Sequence, residues 1–485
     1  MADAVFDVVV VGGGGSGLAA AIEARAQGAR VLLLEKNDAL GGSTAWSIGS
    51  VTSSGTPHQR RHGIADNPHD HWADMPGFAG DLAERDNHDL RRILCEDIPD
   101  TFQWLLDSGV RFMGPMPEPP HRVPRMHNVL PNSRSFIYHL SRRAQQAGVD
   151  IRTGHCLTQL ILSDGRVTGV EVRCAAGLQR FSARVGVVLA AGDFTSSPEF
   201  KARFMGAQQA KAEAVNVTAT GDGQRAAEAV GARILNGELA LGPEIRFMAP
   251  TTETLMRRLP PWRWLAVFMA WAIDHVPGVV LRPFIMKFLT TALAPSTALF
   301  DRGAILVNRH GARFGNECEM PALRLPDQPD KVGYIVLDQA LAQQFSAWPH
   351  FISTAPGIAY AYVEDYRRNR PDVYTQADSL EALAHQLGMD PQTLKASAQA
   401  GGVRALHTGP FVALGPVRSV FVHSEGGLQV DHHHHVLGAG GAPIAGLYAA
   451  GSTGQGGLLL KGHGHHLAWA FVSGRRAGKF AAQGL

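Results

Sequence analysis

The chain has 485 residues, of which 45% are hydrophobic, so it can form two or three structural units around a large core. Because 45 Lys and Arg residues face 43 Asp and Glu residues, the formal net charge is +2, and a nucleic acid partner is not expected. No run of about 18 apolar residues occurs, so no transmembrane helix is expected.

Residues 7–35 carry a dinucleotide-binding signature. A β-branched strand pattern leads into GGGGSG at residues 12–17, then a small-residue helix and a second strand that ends at Glu35. In this context GxGxxG predicts a pyrophosphate at the helix N-terminus and ribose hydroxyls at Glu35. Gly12 permits the tight turn, Gly14 lets the backbone approach the pyrophosphate, and Gly17 lets helix and strand pack closely.

The first predicted strand begins within a few residues of Met1 and leaves no room for a signal peptide. The four cysteines form no CxxC motif and are expected to be reduced thiols. Both observations predict a cytoplasmic protein.

Further elements follow in chain order. The sequence GGSTAWS at residues 41–47 is small enough for a cofactor to pass close to the backbone, and residues 86–109 are predicted to be helical. Residues 111–135, rich in Pro, His and Arg, are expected to form a loop. Residues 151–191 alternate as strands and end in the small run at 190–192, and TGDG at 220–223 opens another small-residue helix.

The character of the chain changes to aromatics and prolines between about 242 and 424. A hairpin then begins near 426, GLYAAG at 446–451 forms a strand, and a terminal helix closes the chain. We therefore predict an α/β fold, a doubly wound Rossmann-like domain built from residues 1–241 and 425–485, with an inserted α+β domain at 242–424.

This set of motifs resembles the flavoprotein superfamily of fumarate reductases and 3-ketosteroid dehydrogenases over nearly the whole chain. The matching segments are 12–17 with Glu35, 41–47, 190–192, 220–223, 303–308, 313–317 and 446–451. The resemblance implies FAD as the cofactor and makes the insert a capping domain that closes over the flavin. No second GxGxxG exists for a nicotinamide nucleotide, and no histidine lies in 41–50 for a covalent flavin link, so we expect non-covalent FAD. The predicted cofactor-binding residues are Gly12, Gly14, Gly15, Ser16, Gly17, Glu35, Lys36, Gly42, Ser43, Thr44, Ser47, Ala191, Gly192, Asp222, Gly451 and Ser452.

The resemblance is uneven between the two branches of the superfamily. Residues 42–47 look most like the ketosteroid dehydrogenases, whereas His423 matches a substrate-binding histidine of the fumarate reductases. Lys461 lies near their substrate-binding arginine, if one gap is allowed. However, Pro321 stands where they carry a proton-donating arginine, and Thr297 and Phe300 replace an expected Glu and Arg. A dicarboxylate substrate is therefore not expected.

Hydride transfer beside a carbonyl needs an acid or base at the α-carbon and donors for the enolate oxygen. Tyr360 and Tyr362, in a PGIAYAY loop of the insert, suit these roles. His423, Lys461 and His463 lead into segments that the resemblance brings beside the flavin. These five residues are the predicted catalytic residues, and each also has a structural interpretation as a packing or solvated side chain.

Two other stretches invite a functional interpretation. Asp431 is followed by four histidines, but neighbouring ligands on a strand alternate faces, so we expect a solvated hairpin tip and no metal site. Residues 257–300 combine arginines with aromatic and apolar runs. They fit a buried cap core or dimer contact, an apolar substrate entrance, or peripheral docking on a membrane surface.

The sequence thus predicts an FAD-dependent oxidoreductase that dehydrogenates a CH–CH bond beside the carbonyl of a small apolar substrate, a cyclic or long-chain ketone, by hydride transfer to flavin N5. The reverse reaction, reduction of an activated C=C bond, is the alternative. A non-catalytic carrier of apolar ligands on a flavoprotein fold is an alternative of another class. The electron acceptor is left open among a quinone, a dye-like acceptor and oxygen.

Overall fold

A largely parallel sheet carries the glycine-rich signature. In the computed structural model, which describes residues 5–250, 258–291, 293–355, 359–400 and 403–483, strand Val5–Val11 pairs in parallel with Val31–Leu34 and with Gly177–Leu189. Strand Pro443–Ala449 joins the far side of Gly177–Leu189, also in parallel. Residues 8–11 are buried on both faces of the sheet, as a β-branched run predicts.

The helices and strands have the following bounds. The α-helices are Gly15–Ala26, Gly42–Trp46, Pro57–Arg61, Pro68–Asp74, Pro76–Ala79, His88–Asp107, Arg134–Gln146, Pro198–Phe204, Ala207–Ala210, Asp222–Glu228, Arg263–His275, Gly278–Leu289, Ala298–Asp301, Pro321–Arg324, Gln339–Gln344, Val363–Asn369, Leu380–Leu387, Pro391–Ala400 and His465–Ala482. The strands are Val5–Val11, Val31–Leu34, Ser50–Thr52, Arg111–Met116, Met126–Leu130, Asp150–Arg152, Cys156–Ser163, Arg166–Cys174, Gly177–Leu189, Glu213–Ala214, Ile234–Leu235, Ala240–Leu241, Glu244–Phe247, Ile305–Asn308, Gly333–Leu337, Ser353–Ala355, Ala359–Ala361, Tyr374–Ala377, Phe411–Phe421, His423–Ser424, Gly427–Leu428, His435–Leu437 and Pro443–Ala449.

The terminal helix His465–Ala482 packs against the first helix, Gly15–Ala26. Both helices consist largely of small residues at the contact. A Cβ added at Gly478 would lie 2.1 Å from the backbone oxygen of Ala20, and one at Gly474 would lie 2.4 Å from that of Ser16. This close packing brings the last helix of the chain beside the glycine-rich loop near its start.

A second hydrophobic core lies within residues 245–417. Its sheet is centred on strand Phe411–Phe421, which pairs antiparallel with Glu244–Phe247, Gly333–Leu337 and Tyr374–Ala377. Strand Glu213–Ala214, which precedes this part of the chain, also joins this sheet beside Phe411–Phe421. The capping sheet therefore rests directly on a segment that leaves the first domain.

The prediction of a loop over residues 111–135 is wrong. Strands Arg111–Met116 and Met126–Leu130 pair there, and Ser50–Thr52 completes a small antiparallel sheet. The methionines, histidines and prolines of this segment give no alternating strand pattern in the sequence. The strands form because they pair with each other and with Ser50–Thr52, a segment distant in the chain.

The aromatic helix Arg263–His275 is mostly exposed, and Ala266 is its one buried residue within the described chain. This exposure contradicts the interpretation of the helix as buried cap core. Arg257 lies outside the described residues. Of the helices that the structure describes, none combines the length and the hydropathy needed to cross a membrane.

Candidate active site

A cavity of about 630 Å³ lies where the parallel sheet meets the capping domain. Its lining includes the glycine-rich loop, Glu35, the small-residue segment 42–47 and, from the capping sheet, residues of strands Glu244–Phe247 and Phe411–Phe421. The position is the one expected of an open α/β sheet, which binds ligands beyond the carboxyl ends of its strands.

The glycines of the loop divide into two kinds. A Cβ at Gly17 would lie 1.8 Å from the backbone oxygen of Gly12, and one at Gly12, where φ is +111°, would lie 2.2 Å from that of Ala190. The fold itself therefore demands these two glycines. At Gly14 the nearest atom is 3.6 Å away, so the protein has room for a methyl group there. The absence of a side chain at Gly14 leaves its backbone open to a ligand, and this space fits a pyrophosphate.

The buried carboxylate of Glu35 braces the same loop. It accepts hydrogen bonds from the backbone N–H of Gly13 at 2.7 Å and from both the backbone and the side chain of Asn37 at 2.8 Å. A carboxylate has further lone pairs, and Glu35 lines the cavity, so it can also accept from a ribose hydroxyl. Beside it, Lys36 forms an ion pair with Asp222 at 2.7 Å.

The small-residue segment is fastened to this loop by hydroxyl groups. Thr44 Oγ1 accepts from the backbone N–H of Gly15 at 3.1 Å, and Ser47 Oγ donates to the backbone oxygen of Thr44 at 2.8 Å. Asn216 Nδ2 donates to Ser43 Oγ at 2.9 Å. These contacts hold segment 42–47 as one wall of the cavity.

Most of the predicted cofactor-binding residues line the cavity, and within the described chain Gly17 and Gly451 do not. Gly17 acts through packing, and the backbone N–H of Gly451 donates to Ser473 Oγ at 2.8 Å. The predicted residues in the lining are Gly12, Gly14, Gly15, Ser16, Glu35, Lys36, Gly42, Ser43, Thr44, Ser47, Ala191, Gly192, Asp222 and Ser452.

Two histidines face the cavity as a pair. His423 begins the short strand His423–Ser424, which follows the capping-sheet strand Phe411–Phe421, and His466 lies in the first turn of the terminal helix. Their ring centroids are 3.8 Å apart. Behind them Glu425 is buried, with Oε1 lying 3.4 Å from His466 Nε2 and 3.9 Å from His423 Nε2. Sequence reasoning predicted His423 but did not select His466 from its histidine-rich neighbourhood.

Charges around this pair follow from burial and proximity. Burial, and after it the neighbouring His466, lowers the pKa of His423 to about 3, so the imidazole is neutral at pH 7. Burial would raise the pKa of Glu425, but the two histidines outweigh it and lower the pKa to about 2. An ionised carboxylate only accepts hydrogen bonds, so His466 Nε2 donates to Glu425, and in the neutral form of the ring Nδ1 carries the lone pair.

Lys461 and His463 do not belong to the lining among the described residues. The backbone oxygen of Lys461 accepts from His465 Nδ1 at 2.7 Å. His463 is exposed, and its Nδ1 lies 2.5 Å from the buried Glu118, a contact that raises the pKa of His463. Among the described residues, His463 is thus held by Glu118 outside the lining that His466 joins.

Tyr360 and Tyr362 also lie outside the lining of the described cavity. The ring of Tyr360 packs against Trp348 with centroids 4.9 Å apart, and the backbone N–H of Tyr362 donates to Asp365 at 2.9 Å. Residues 356–358 of their predicted loop lie outside the described residues. The ring of Tyr360 therefore makes a packing contact, and neither tyrosine belongs to the described lining.

Two arginines that sequence reasoning missed lie in the cavity wall. Arg246 and Arg418 are opposite each other on paired strands. Arg246 forms an ion pair with Glu244 at 2.5 Å, and Arg418 forms one with Glu213 at 3.0 Å. Glu244 and Arg246 lie two residues apart on one strand, so their spacing in the sequence could have indicated an ion pair. Glu213 and Arg418 lie on different strands, and only the tertiary structure brings them together.

The expectation of a solvated histidine run at 432–435 is also wrong in part. Residues 431–434 form a turn in which His434, at φ +66°, is fully buried and its ring centroid lies 5.4 Å from that of Trp469. One ligand atom each of Asp431, His433 and His435 lies within 4.8 Å of the others. The rule that neighbours alternate faces fails because this segment is a turn.

Comparison with known proteins shows the family of this chain. The family model of the FAD binding domain matches residues 7–258 and 277–459. NADH:fumarate oxidoreductase of Klebsiella pneumoniae (strain 342) is 25% identical over 475 residues, or 92% of this chain and 44% of that protein. This chain thus spans less than half the length of that relative. Vinyl phenol reductase of Lactiplantibacillus plantarum is 26% identical over 99% of this chain and 96% of its own length.

Solved structures show the same fold. The open conformation of a flavocytochrome c3 fumarate reductase superposes with a TM-score of 0.73 at 23% identity, covering 99% of this chain and 78% of that one. The 3-ketosteroid-Δ4-(5α)-dehydrogenase of Rhodococcus jostii RHA1 superposes with a TM-score of 0.62 at 22% identity, covering 99% and 97%. The resemblance inferred from the sequence is thereby confirmed, and the chain belongs to the FAD binding domain family, with the fold of the FAD-dependent oxidoreductases.

Proposed function

We propose that the protein is an FAD-dependent oxidoreductase that adds or removes hydrogen across a carbon–carbon bond beside a carbonyl of an apolar substrate. The observation that carries this proposal is the His423–His466 pair, backed by the ionised Glu425, in a cavity that the FAD-type glycine loop also lines. Bound FAD supplies the two-electron chemistry, by accepting a hydride from a substrate carbon or returning one to it.

The two histidines suit the two remaining tasks of such a reaction. His466, with Nε2 held by Glu425, offers the Nδ1 lone pair as a base for the α-carbon proton, or returns that proton in the reverse direction. The neutral imidazole of His423 offers an N–H donor to the carbonyl oxygen, on which negative charge develops. Glu425 is a positioning residue, since it acts only through the two rings.

The cavity wall favours an apolar substrate over a dicarboxylate. Phe247, Met248, Val420 and Val422 contribute to the lining from the capping domain. The guanidinium groups of Arg246 and Arg418 are already paired with glutamates. Pro321, which stands where fumarate reductases are expected to carry an arginine, begins the short helix Pro321–Arg324.

The direction of the reaction has two supported candidates. Dehydrogenation of a ketone is the one favoured by the likeness of segment 42–47 to the ketosteroid dehydrogenases. Reduction of an activated C=C bond is supported equally, because the named relatives at 25% and 26% identity are a fumarate oxidoreductase and a vinyl phenol reductase. The same two histidines serve both directions, since a base in one is an acid in the other.

One pair of anaerobic experiments tests the function and its direction. The oxidised holoenzyme is mixed with a panel of cyclic and long-chain ketones, and bleaching of the flavin absorbance is followed. The reduced enzyme is mixed in parallel with enones, vinyl phenols and fumarate, and reoxidation is followed. Bleaching by ketones supports dehydrogenation, reoxidation by enones supports reduction, and rapid turnover of fumarate contradicts the apolar substrate. A purified protein without flavin would instead favour the carrier of apolar ligands.

We also propose that FAD is held without a covalent bond, because no histidine lies in segment 41–50. Acid precipitation of the yellow protein should release the flavin into the supernatant, where chromatography identifies it as FAD. Colour that stays in the precipitate contradicts this proposal.

The exposed aromatic helix offers a site for an apolar electron acceptor. Trp264 and Trp271 are 65% and 53% exposed, and Arg258 and Arg263 lie exposed beside them. The helix falls between the two segments that match the family model, so it is an addition to the shared domain. Aromatic rings with nearby cations fit the headgroup region of an anionic membrane, and we propose that Arg263–His275 docks there, where a quinone is accessible.

A further inference from the structure

Three histidines from distant parts of the chain meet in the interior, outside the cavity. His71 lies on helix Pro68–Asp74, His121 lies between strands Arg111–Met116 and Met126–Leu130, and His465 begins the terminal helix. All three are buried, at 0%, 7% and 0% exposure. The proposed reaction uses none of them, so their convergence needs its own explanation.

Their geometry is that of ligands around one ion. The three ring centroids form a nearly equilateral triangle with sides of 5.4, 5.5 and 5.3 Å. One ring nitrogen of each lies within 4.8 Å of the other two, and Nε2 of His71 lies 3.3 Å from Nε2 of His465. Two nitrogens bound to tetrahedral Zn²⁺ at about 2.0–2.1 Å are separated by about 3.3–3.4 Å.

A hydrogen bond orients the ring of His465 toward this centre, and the ring of His121 has its nitrogen without a partner among the described residues there. His465 Nδ1 donates to the backbone oxygen of Lys461 at 2.7 Å, which leaves the lone pair on Nε2. His121 Nδ1 lies 2.9 Å from Arg125 Nη1 and 3.9 Å from a carboxylate oxygen of Asp74, whereas its buried Nε2 contacts no partner within the described chain. Because a guanidinium only donates, His121 Nδ1 accepts from Arg125 as the structure stands. An ion at Nε2 moves the ring proton to Nδ1, so Arg125 Nη1 must turn fully to Asp74, which it already contacts, and Nδ1–H then faces the same carboxylate.

We propose that His71, His121 and His465 bind a divalent transition-metal ion, for which Zn²⁺ has the matching ligand preference. Three protein nitrogens leave the fourth position of a tetrahedral ion to a water molecule. The ion joins helix Pro68–Asp74 and the 117–125 loop to the first residue of the terminal helix. Because His466 follows His465 directly, the ion also fixes the backbone that presents His466 to the cavity.

Two other sets of side chains can also hold an ion and set the design of the measurement. His423, Glu425 and His466 offer only two imidazoles, so X-ray absorption distinguishes them from the triad, and the other set is removed by substitution. Asp431, His433 and His435 are only partly buried and can also hold an ion. The test therefore starts from a background protein that carries His433→Asn and His435→Asn. This full-length holoenzyme is dialysed against a chelator, loaded with Zn²⁺, freed of excess metal, and analysed for zinc per chain by mass spectrometry.

We expect one tightly held zinc per chain in the background protein and its loss in the His71→Gln and His121→Gln variants. His127→Gln is the matched control, because His127 is equally buried but lies outside the triad, and it should keep the zinc. A background protein that retains no zinc, or variants of the triad that retain as much as the control, would overturn the proposal.

A spectroscopic measurement keeps the test independent of whether the variants fold. X-ray absorption at the zinc edge of the background protein should show three imidazole nitrogens at about 2.0–2.1 Å. Zinc should also raise the thermal unfolding midpoint, because an ion that binds only the folded state stabilises it. A spectrum with fewer than three imidazoles, or with oxygen ligands alone, would show that the three histidines pack as neutral rings without an ion.

Discussion

Glu425 connects the chemistry of the cavity to the structure around it. Its carboxylate faces both His423 and His466 and also accepts hydrogen bonds from Gln455 Nε2 and from the backbone N–H of Leu460. One buried charge thereby sets the tautomer of His466 and stays ionised, since its pKa is about 2. A buried carboxylate with these partners is costly to remove, because its donors are left unsatisfied.

The first prediction concerns the two cavity histidines. His423→Ala and His466→Ala should each slow flavin reduction by substrate about tenfold or more, since a lost donor or base at the reacting carbons costs at least that much. FAD content, read from absorbance, should be unchanged. Lys461→Ala, outside the cavity lining, should react at the normal rate. Normal rates in both histidine variants, with a slow Lys461 variant, would place the chemistry at the turn predicted from sequence.

The second prediction separates the glycines of the loop. Gly14→Ala should fold normally but bind FAD about tenfold or more weakly, because its methyl group fits the protein but occupies ligand space. Gly17→Ala should instead unfold the domain, since its Cβ would lie 1.8 Å from a backbone oxygen. Denaturant unfolding of apoprotein and flavin titration measure the two effects. Equal stability loss in both variants contradicts the distinction.

At the scale of elements, the connection between the two domains positions the capping sheet over the cavity. Strand Phe411–Phe421 is the centre of the capping sheet, and the chain continues from it through His423 back to the parallel sheet. Strand Glu213–Ala214 also pairs with Phe411–Phe421, on the edge opposite to Glu244–Phe247. The capping domain is thus attached along a strand pair as well as by its chain ends. This second attachment holds its apolar residues in place at the cavity wall.

The third prediction concerns helix Arg263–His275. Replacing Trp264, Phe268 and Trp271 together by Gln should abolish cosedimentation with vesicles of phosphatidylcholine and phosphatidylglycerol, since binding scales with buried apolar area and anionic attraction. Flavin content and reaction with soluble substrates should stay the same. The control replaces the exposed Trp348, which lies outside this helix. Equal binding of the triple variant, or no binding by the natural protein, would exclude a membrane role and leave a dimer contact or a substrate entrance.

At the scale of the whole molecule, buried neutral histidines make stability depend on pH. Burial is the main cause that lowers the pKa of His58 to about 4, and that of His127 and of His434 to about 3. Each contributes stability that is fully present above the unfolded pKa of 6.5. Between pH 6.5 and about 4 the unfolded chain binds protons that the folded protein does not, so acidification favours unfolding.

The fourth prediction follows from this sign. The free energy of unfolding, measured with urea between pH 7 and 5, should fall by about 1.4 kcal/mol per pH unit for each such histidine once the pH is below 6.5. His434→Leu should reduce the pH dependence of the unfolding free energy by about 1.4 kcal/mol per pH unit. The substitution breaks no hydrogen bond of the ring within the described chain, because neither nitrogen of His434 has a partner there. His69→Leu, at an exposed position, should leave it unchanged. A pH-independent stability would contradict the prediction.

The sequence by itself determined the FAD-binding part of the site. Strand, glycine loop, helix and acid lie within about 30 consecutive residues of a βαβ unit, and their geometry is set by local backbone requirements such as φ > 0 at Gly12. The residues on this side of the cavity lining were therefore predictable one by one. The insert at 242–424 stays a prediction from the change of composition, and the second hydrophobic core lies within it, in residues 245–417.

Only the tertiary structure decided which histidines form the side of the cavity that we propose to be catalytic. His423 and His466 are far apart in sequence, and which histidine of a dense run faces inward depends on where the terminal helix begins and how it packs. The same holds for His71, His121 and His465, which no spacing connects. Packing brings side chains from distant segments together. Composition and local pattern therefore indicated which residue types were present, but they could not predict which residues would be in contact.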